Sequence, residues 1–71
     1  MSKFTQIIGK RIADKRTDLE LSQQELADLA KIQVAYLGRV ELGKYNDLGI
    51  KNLRKICKAL GVKMVDLFKG Y

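Results

Sequence analysis

The segment LSQQELADLAKIQVAYLGRVELG, residues 21–43, carries two helical patterns separated only by Lys31-Ile32-Gln33. No other feature restricts the fold so strongly. A joint of about three residues is that of a helix-turn-helix, whose two helices cross steeply. The signals at each end are local. Ser22 can cap the unpaired amides of a first turn, and Glu25, three residues on, completes a capping box. Leu26, Leu29 and Ala30 form the expected buried stripe, and Ala27 is small enough for the point where two backbones approach. Ile32 in the joint can fill the angle between the helices. The second helix turns Leu37 and Val40 inward and ends at Gly43, a residue suited to a helix end.

Helical spacing continues on both sides of this pair. Phe4, Ile8 and Ile12 predict a helix over about residues 4–17, with Thr17 to Leu21 as the connection. After a polar loop, Lys44-Tyr45-Asn46-Asp47, a fourth helix carries Ile50, Leu53, Ile56, Cys57 and Leu60 and stops at Gly61. A last short helix holds Val65, Leu67 and Phe68. No stretch alternates long enough to argue for a strand. The expectation is an all-α fold of five short helices in one domain, residues 1–71, with the helix-turn-helix at about 22–42.

Composition narrows the chemistry. There is no His, and the single Cys57 cannot close an intrachain disulfide. No acid pair shares a face with a plausible cleft, and no set of metal ligands is present. An enzyme is therefore not expected, nor a metal, a cofactor or a small-molecule ligand. No apolar run approaches the ~18 residues of a membrane span, and MSKFTQIIGKR lacks the apolar core of a signal peptide. A soluble cytoplasmic protein is expected, with no room for a separate sensing domain. A core drawn from 71 residues is modest, so a second subunit would help. The net charge of +6 and the pI near 9.7 point to a polyanionic partner, nucleic acid first.

The second helix of the pair offers a face for such a partner. Gln33, Val34, Ala35, Gly38 and Arg39 fall away from Leu37 and Val40, with Tyr36 at the edge. A protruding helix fits the DNA major groove, about 12 Å wide. There Gln33 can pair with adenine, Arg39 can fork onto guanine, and Val34 and Ala35 can touch a thymine methyl. Gln23 lies at a helix N-terminus, where a phosphate is attracted. Lys44, Asn46 and Lys51 could grip the flanking backbone. Beyond Lys51, the run with Arg54, Lys55 and Lys58 reads as a solvated helix face. Val62, Met64, Val65, Phe68 and Tyr71 are too many apolar groups for one tail to hide, so residues 61–71 are a candidate contact with a twin subunit. A symmetric dimer would set two such helices about 34 Å apart, on an inverted repeat.

The pieces IGKRIADKR, LSQQELADLAK, YLGRVELGK and LRKICKALGVKMVDLF together resemble the phage repressor and Cro helix-turn-helix family, which includes small controller proteins of restriction–modification systems. The likeness runs from Ile8 to Phe68 and implies a lambda-repressor-like DNA-binding domain. It also implies a structural ion pair between Arg16 and Glu41, a phosphate contact at Gln23, and base or backbone reading by Gln33, Val34, Ala35, Tyr36 and Arg39. The implied function is sequence-specific regulation of transcription, as a repressor or autoregulator, by a homodimer on a double-stranded operator. The sequence departs from the family at several places. Lys31 stands where Gly is usual, at a cost of roughly 1 kcal/mol if left-handed. Gln33 replaces a capping Ser or Thr, Gly38 replaces a common Ser, and the loop from Gly43 to Leu53 is about one residue longer. The same fold also serves antitoxin-like protein-binding modules, the rival reading, although no extra segment for a toxin is evident.

Overall fold

The computed structural model describes residues 3–44 and 49–70. Five helices follow one another: α1 (Lys3–Asp18), α2 (Gln23–Ala30), α3 (Val34–Glu41), α4 (Ile50–Leu60) and α5 (Met64–Leu67). No strand occurs among the described residues. α1 lies against α3, α2 against both α3 and α4, and α5 closes on α1 and α4. Ile8, Ile12, Leu26, Leu37, Val40 and Ile56 fill the centre and are essentially inaccessible to water. Each contributes roughly 2 kcal/mol by burial.

α2 begins as its sequence dictates. The Ser22 hydroxyl accepts from the Glu25 amide at 3.0 Å, and the Glu25 carboxylate accepts from the Ser22 amide at 2.9 Å. Those bonds favour the charged carboxylate and hold its pKa below the usual range. Ala27 is fully buried, and the joint that follows it is tight.

Helices α1 to α4 all close in the same way. A left-handed residue turns the chain, its amide and the next one reaching back to carbonyls of the last turn. At α3 these bonds are Gly43 to Val40 and Lys44 to Arg39, both 3.0 Å; at α4 they are Gly61 to Lys58, 3.2 Å, and Val62 to Cys57, 3.0 Å. α1 and α2 achieve this without glycine, at Glu20 (φ 59°) and Lys31 (φ 58°). After α1, α2 and α4 the closure turns an apolar side chain, Leu21, Ile32 or Val62, into partial burial. The left-handed strain on Lys31 is therefore accepted because it sets Ile32 into the angle between α2 and α3. Lys31→Gly should relieve about 1 kcal/mol of that strain. A thermal melt should show a rise of several degrees; an unchanged or lower midpoint would contradict the assignment.

Two expectations are corrected, at Leu29 and at the C-terminal apolar groups. Leu29 does not join the buried stripe of α2: it is 59% exposed. The covered arc runs from Leu26 across Ala30 to Ala27, and Leu29 lies about 100° from Ala30 around the axis. Ile50 is 67% exposed, because it stands in the first turn of α4, beyond the end of the core. The C-terminal apolar groups are also better housed than expected. Val62, Met64 and Phe68 pack partly against the protein's own core, and Phe68 stacks on Phe4 with centroids 5.6 Å apart and planes 3° from parallel. Only Val65 among the described members of that group is left exposed, and Tyr71 lies outside the described residues. The turn that follows α5 is held by Arg11, whose guanidinium donates to the carbonyls of Leu67 and Lys69, each at 2.8 Å.

Candidate nucleic-acid interface

The attitude of α3 is fixed from behind. Leu37 and Val40 are buried, so the helix can rotate little about its axis. Gly9 of α1 passes so close beneath the end of α3 that a β-carbon there would collide with the Val40 carbonyl oxygen and come within 2.9 Å of that of Glu41. Gly43, just past the helix, packs on Gln6 of α1; a β-carbon on it would lie 2.5 Å from the Gln6 Cα. The buried Thr5 hydroxyl donates to the Gly43 carbonyl at 3.3 Å.

A polar network adds to these contacts. The Arg16 guanidinium donates its Nε to Glu41 Oε2 at 2.8 Å and an Nη2 hydrogen to Oε1 at 3.1 Å. Its Nη1 donates to the Leu21 carbonyl at 2.7 Å. The two side chains are only 15% and 5% exposed. Hydrogen bonding to Glu41 raises the Arg16 pKa despite partial burial, so the cation is permanent. One guanidinium thus ties α1, the α1–α2 connection and the end of α3 together.

Gln23 joins the same network, its Nε2 donating to Glu41 Oε1 at 3.0 Å. The side chain lies along α3: a β-carbon on Gly38 would meet its Oε1 at 3.9 Å. The first turn of α2 is thereby set beside α3, with the Gln23 side chain half-buried between them.

On the outer side of α3, Gln33, Val34, Ala35 and Arg39 are exposed. Gln33 occupies the cap position without a side-chain capping bond, consistent with its poor fit there. Tyr36 is half-buried and packs against the core, so its ring also holds the helix in place. Lys44 follows the helix closure and is exposed; Lys51 is exposed in the first turn of α4; Asn46 lies outside the described residues. A cleft of about 480 Å³ joins Gln33 and Tyr36 to Asn52 and Lys55 of α4. That juxtaposition was not readable from the sequence, because Lys55 resembled any other lysine of a solvated face. Gly9, Arg11 and Thr5 were missed as well; only the glycine, unusual inside a helical pattern, carried a signal. Among the described residues there is no group of acidic, Cys or His side chains able to hold a metal ion, and no helix long and apolar enough to cross a membrane.

A family model described as Helix-turn-helix matches residues 12–67. Among curated proteins, none matches the chain. Several solved structures do. The restriction-modification controller protein C.AhdI from Aeromonas hydrophila is 33% identical with a TM-score of 0.86, over 90% of this chain and 96% of that one. SinR, a master regulator for biofilm formation solved in complex with DNA, is 31% identical with a TM-score of 0.82, over 87% of this chain and 98% of that one. The clp gene regulator ClgR from C. glutamicum shares the fold at 24% identity, with a TM-score of 0.85, over 96% of this chain and 87% of that one.

Proposed function

The chain belongs to the Cro/CI-type helix-turn-helix family, and from that premise we propose that it is a sequence-specific, double-stranded-DNA-binding regulator of transcription, acting in the cytoplasm as a homodimer on an inverted repeat. The observation that carries this reading is the attitude of α3. Its inner side is locked by Leu37, Val40 and the Arg16–Glu41 pair, while Gln33, Val34, Ala35 and Arg39 stand on its outer side. Similarity to SinR, which binds DNA, supports the same placement.

The roles then divide by chemistry. Gln33 and Arg39 read base edges by hydrogen bonds, and Val34 and Ala35 read thymine methyls. Tyr36 holds the edge of that face. Gln23, Lys44, Asn46 and Lys51 contact phosphates, which position the protein without specifying sequence. Gln23 is already oriented by Glu41, so its contact with a phosphate needs little further ordering. Val65 and the rim of Val62, Met64, Phe68 and Tyr71 supply the dimer contact. Dimerisation would make operator binding depend on protein concentration, as suits a repressor or autoregulator.

Selection of bound duplexes from a random pool tests the reading as a whole. It should return a symmetric site with half-sites about one helical turn apart; recovery of no preferred sequence would end it. Arg39→Ala should relax preference at one base pair, at a cost of about 1–3 kcal/mol on the selected site and little on random DNA. Equal losses on both would remove Arg39 from base reading. Gln23→Ala should instead weaken binding to both by a similar factor, measured by fluorescence anisotropy, and an unaltered affinity would exclude its phosphate contact.

A further inference from the structure

The side of the molecule formed by α2 and α4 carries, at Leu29, Lys58 and Ala59, a feature that the DNA-reading role leaves unused. Leu29, 59% exposed near the end of α2, lies beside Ala30 and Ala59 in a groove of about 560 Å³ between the two helices. Lys31, Lys55 and Lys58 line the same groove. Lys51, Arg54, Lys55 and Lys58 form one stripe along α4, spaced three and four apart, and α4 contains no acidic residue. None of these cations forms an ion pair with another described residue. Like charges at that spacing destabilise a helix. Lys31, at the left-handed close of α2, stands as one more cation at the end of the groove.

An apolar floor with a cationic rim is chemically distinct from a phosphate-gripping surface. A phosphate backbone gains from the lysines but has nothing to offer Leu29. A second copy of this chain meeting it groove to groove is also a poor occupant, since lysines would face lysines. The occupant that satisfies both halves of the groove is a protein segment with an apolar side chain flanked by carboxylates.

We infer that the α2–α4 groove docks an acidic amphipathic helix of a partner protein, its apolar residue seated on Leu29, Ala30 and Ala59 and its carboxylates paired with Lys31, Lys55 and Lys58. A DNA-bound regulator would thereby engage a second protein through a face that adjoins the α3 cleft at Lys31 and Lys55. Apolar anchors held inside a polar rim dominate the energy of such contacts, and Leu29 is the anchor here.

The test uses the full chain and a synthetic helical peptide with leucines four residues apart flanked by glutamates, against a scrambled peptide of the same composition. At physiological ionic strength, calorimetry should find the ordered peptide bound about tenfold more tightly than the scrambled one. Amide shifts in NMR spectra should gather on the second half of α2 and on α4. Leu29→Ser and Lys58→Gln, both at exposed positions, should each reduce peptide affinity by about tenfold. Their affinity for a selected duplex should stay within about twofold, since α3 is untouched. Equal binding of both peptides would reduce the groove to general charge attraction and overturn the inference. So would a Leu29→Ser variant that binds the peptide as before, one that loses DNA affinity instead, or one that sediments as a monomer where the parent is a dimer. Failure of the parent protein to select any duplex would sink the DNA reading and leave this result standing.

Discussion

Gly9→Ala is expected to lower the melting temperature by roughly 15 °C or more, the loss that about 3 kcal/mol produces in a domain of this size. Helix propensity alone predicts the reverse, because alanine stabilises a helix interior over glycine by about 1 kcal/mol. Steric contact decides the sign. The added methyl would overlap the Val40 carbonyl oxygen and crowd that of Glu41, and both are backbone atoms that no rotamer change can move. Separating α1 from α3 would uncover Ile8, Ile12, Leu37 and Val40 together. Gly61 is a useful control: it is left-handed at φ 72° but has open space around it, so Gly61→Ala should cost only about 1 kcal/mol of backbone strain. If Gly9→Ala melts at or above the parent temperature, the close approach of α1 and α3 is not as described.

Arg16→Ala should be nearly as damaging, by about 3 kcal/mol. The substitution leaves the Glu41 carboxylate, 5% exposed, with Gln23 as its remaining side-chain donor, and it removes the donor to the Leu21 carbonyl. Removing one member of a buried pair costs more than the pair is worth, because the other charge stays behind. Arg16→Lys should recover only part of the loss, since an ammonium cannot serve both carboxylate oxygens and the carbonyl in one plane. Replacing Arg16 and Glu41 together by Met should recover more than either single change. Chemical denaturation of the parent, Arg16→Met, Glu41→Met and the double variant would measure the coupling, and an Arg16→Ala protein as stable as its parent would show the pair to be energetically idle.

What the sequence disclosed was mostly local. The Ser22–Glu25 box, the three-residue joint and the inward pair Leu37 and Val40 depend on neighbours within a turn or two, and each is found where its spacing put it. Leu29 was misjudged because apolar spacing names a side of a helix but not how far the cover extends. On an eight-residue helix flanked by two neighbours, a shift of one residue around the axis separates core from solvent. The site was partly legible in the same way. The exposed row Gln33, Val34, Ala35 and Arg39 follows from period alone, whereas the link from Gln23 to Glu41 joins residues 18 apart. Arg11 was illegible because its partner, Leu67, lies far along the chain, and Gly9 signalled a close approach without naming Val40 as what it meets.

The pinched crossing of α1 beneath α3 has an evolutionary corollary. On the proposed reading, α3 is mounted through Leu37, Val40, main-chain contacts and an ion pair, so its outward letters at positions such as Val34 and Ala35 carry little of the stability. A lineage could rewrite those letters one at a time, acquiring new operators while the mount stays the same. Grafting the outer residues of another regulator onto α3 should therefore transfer target choice with hardly any change in heat resistance.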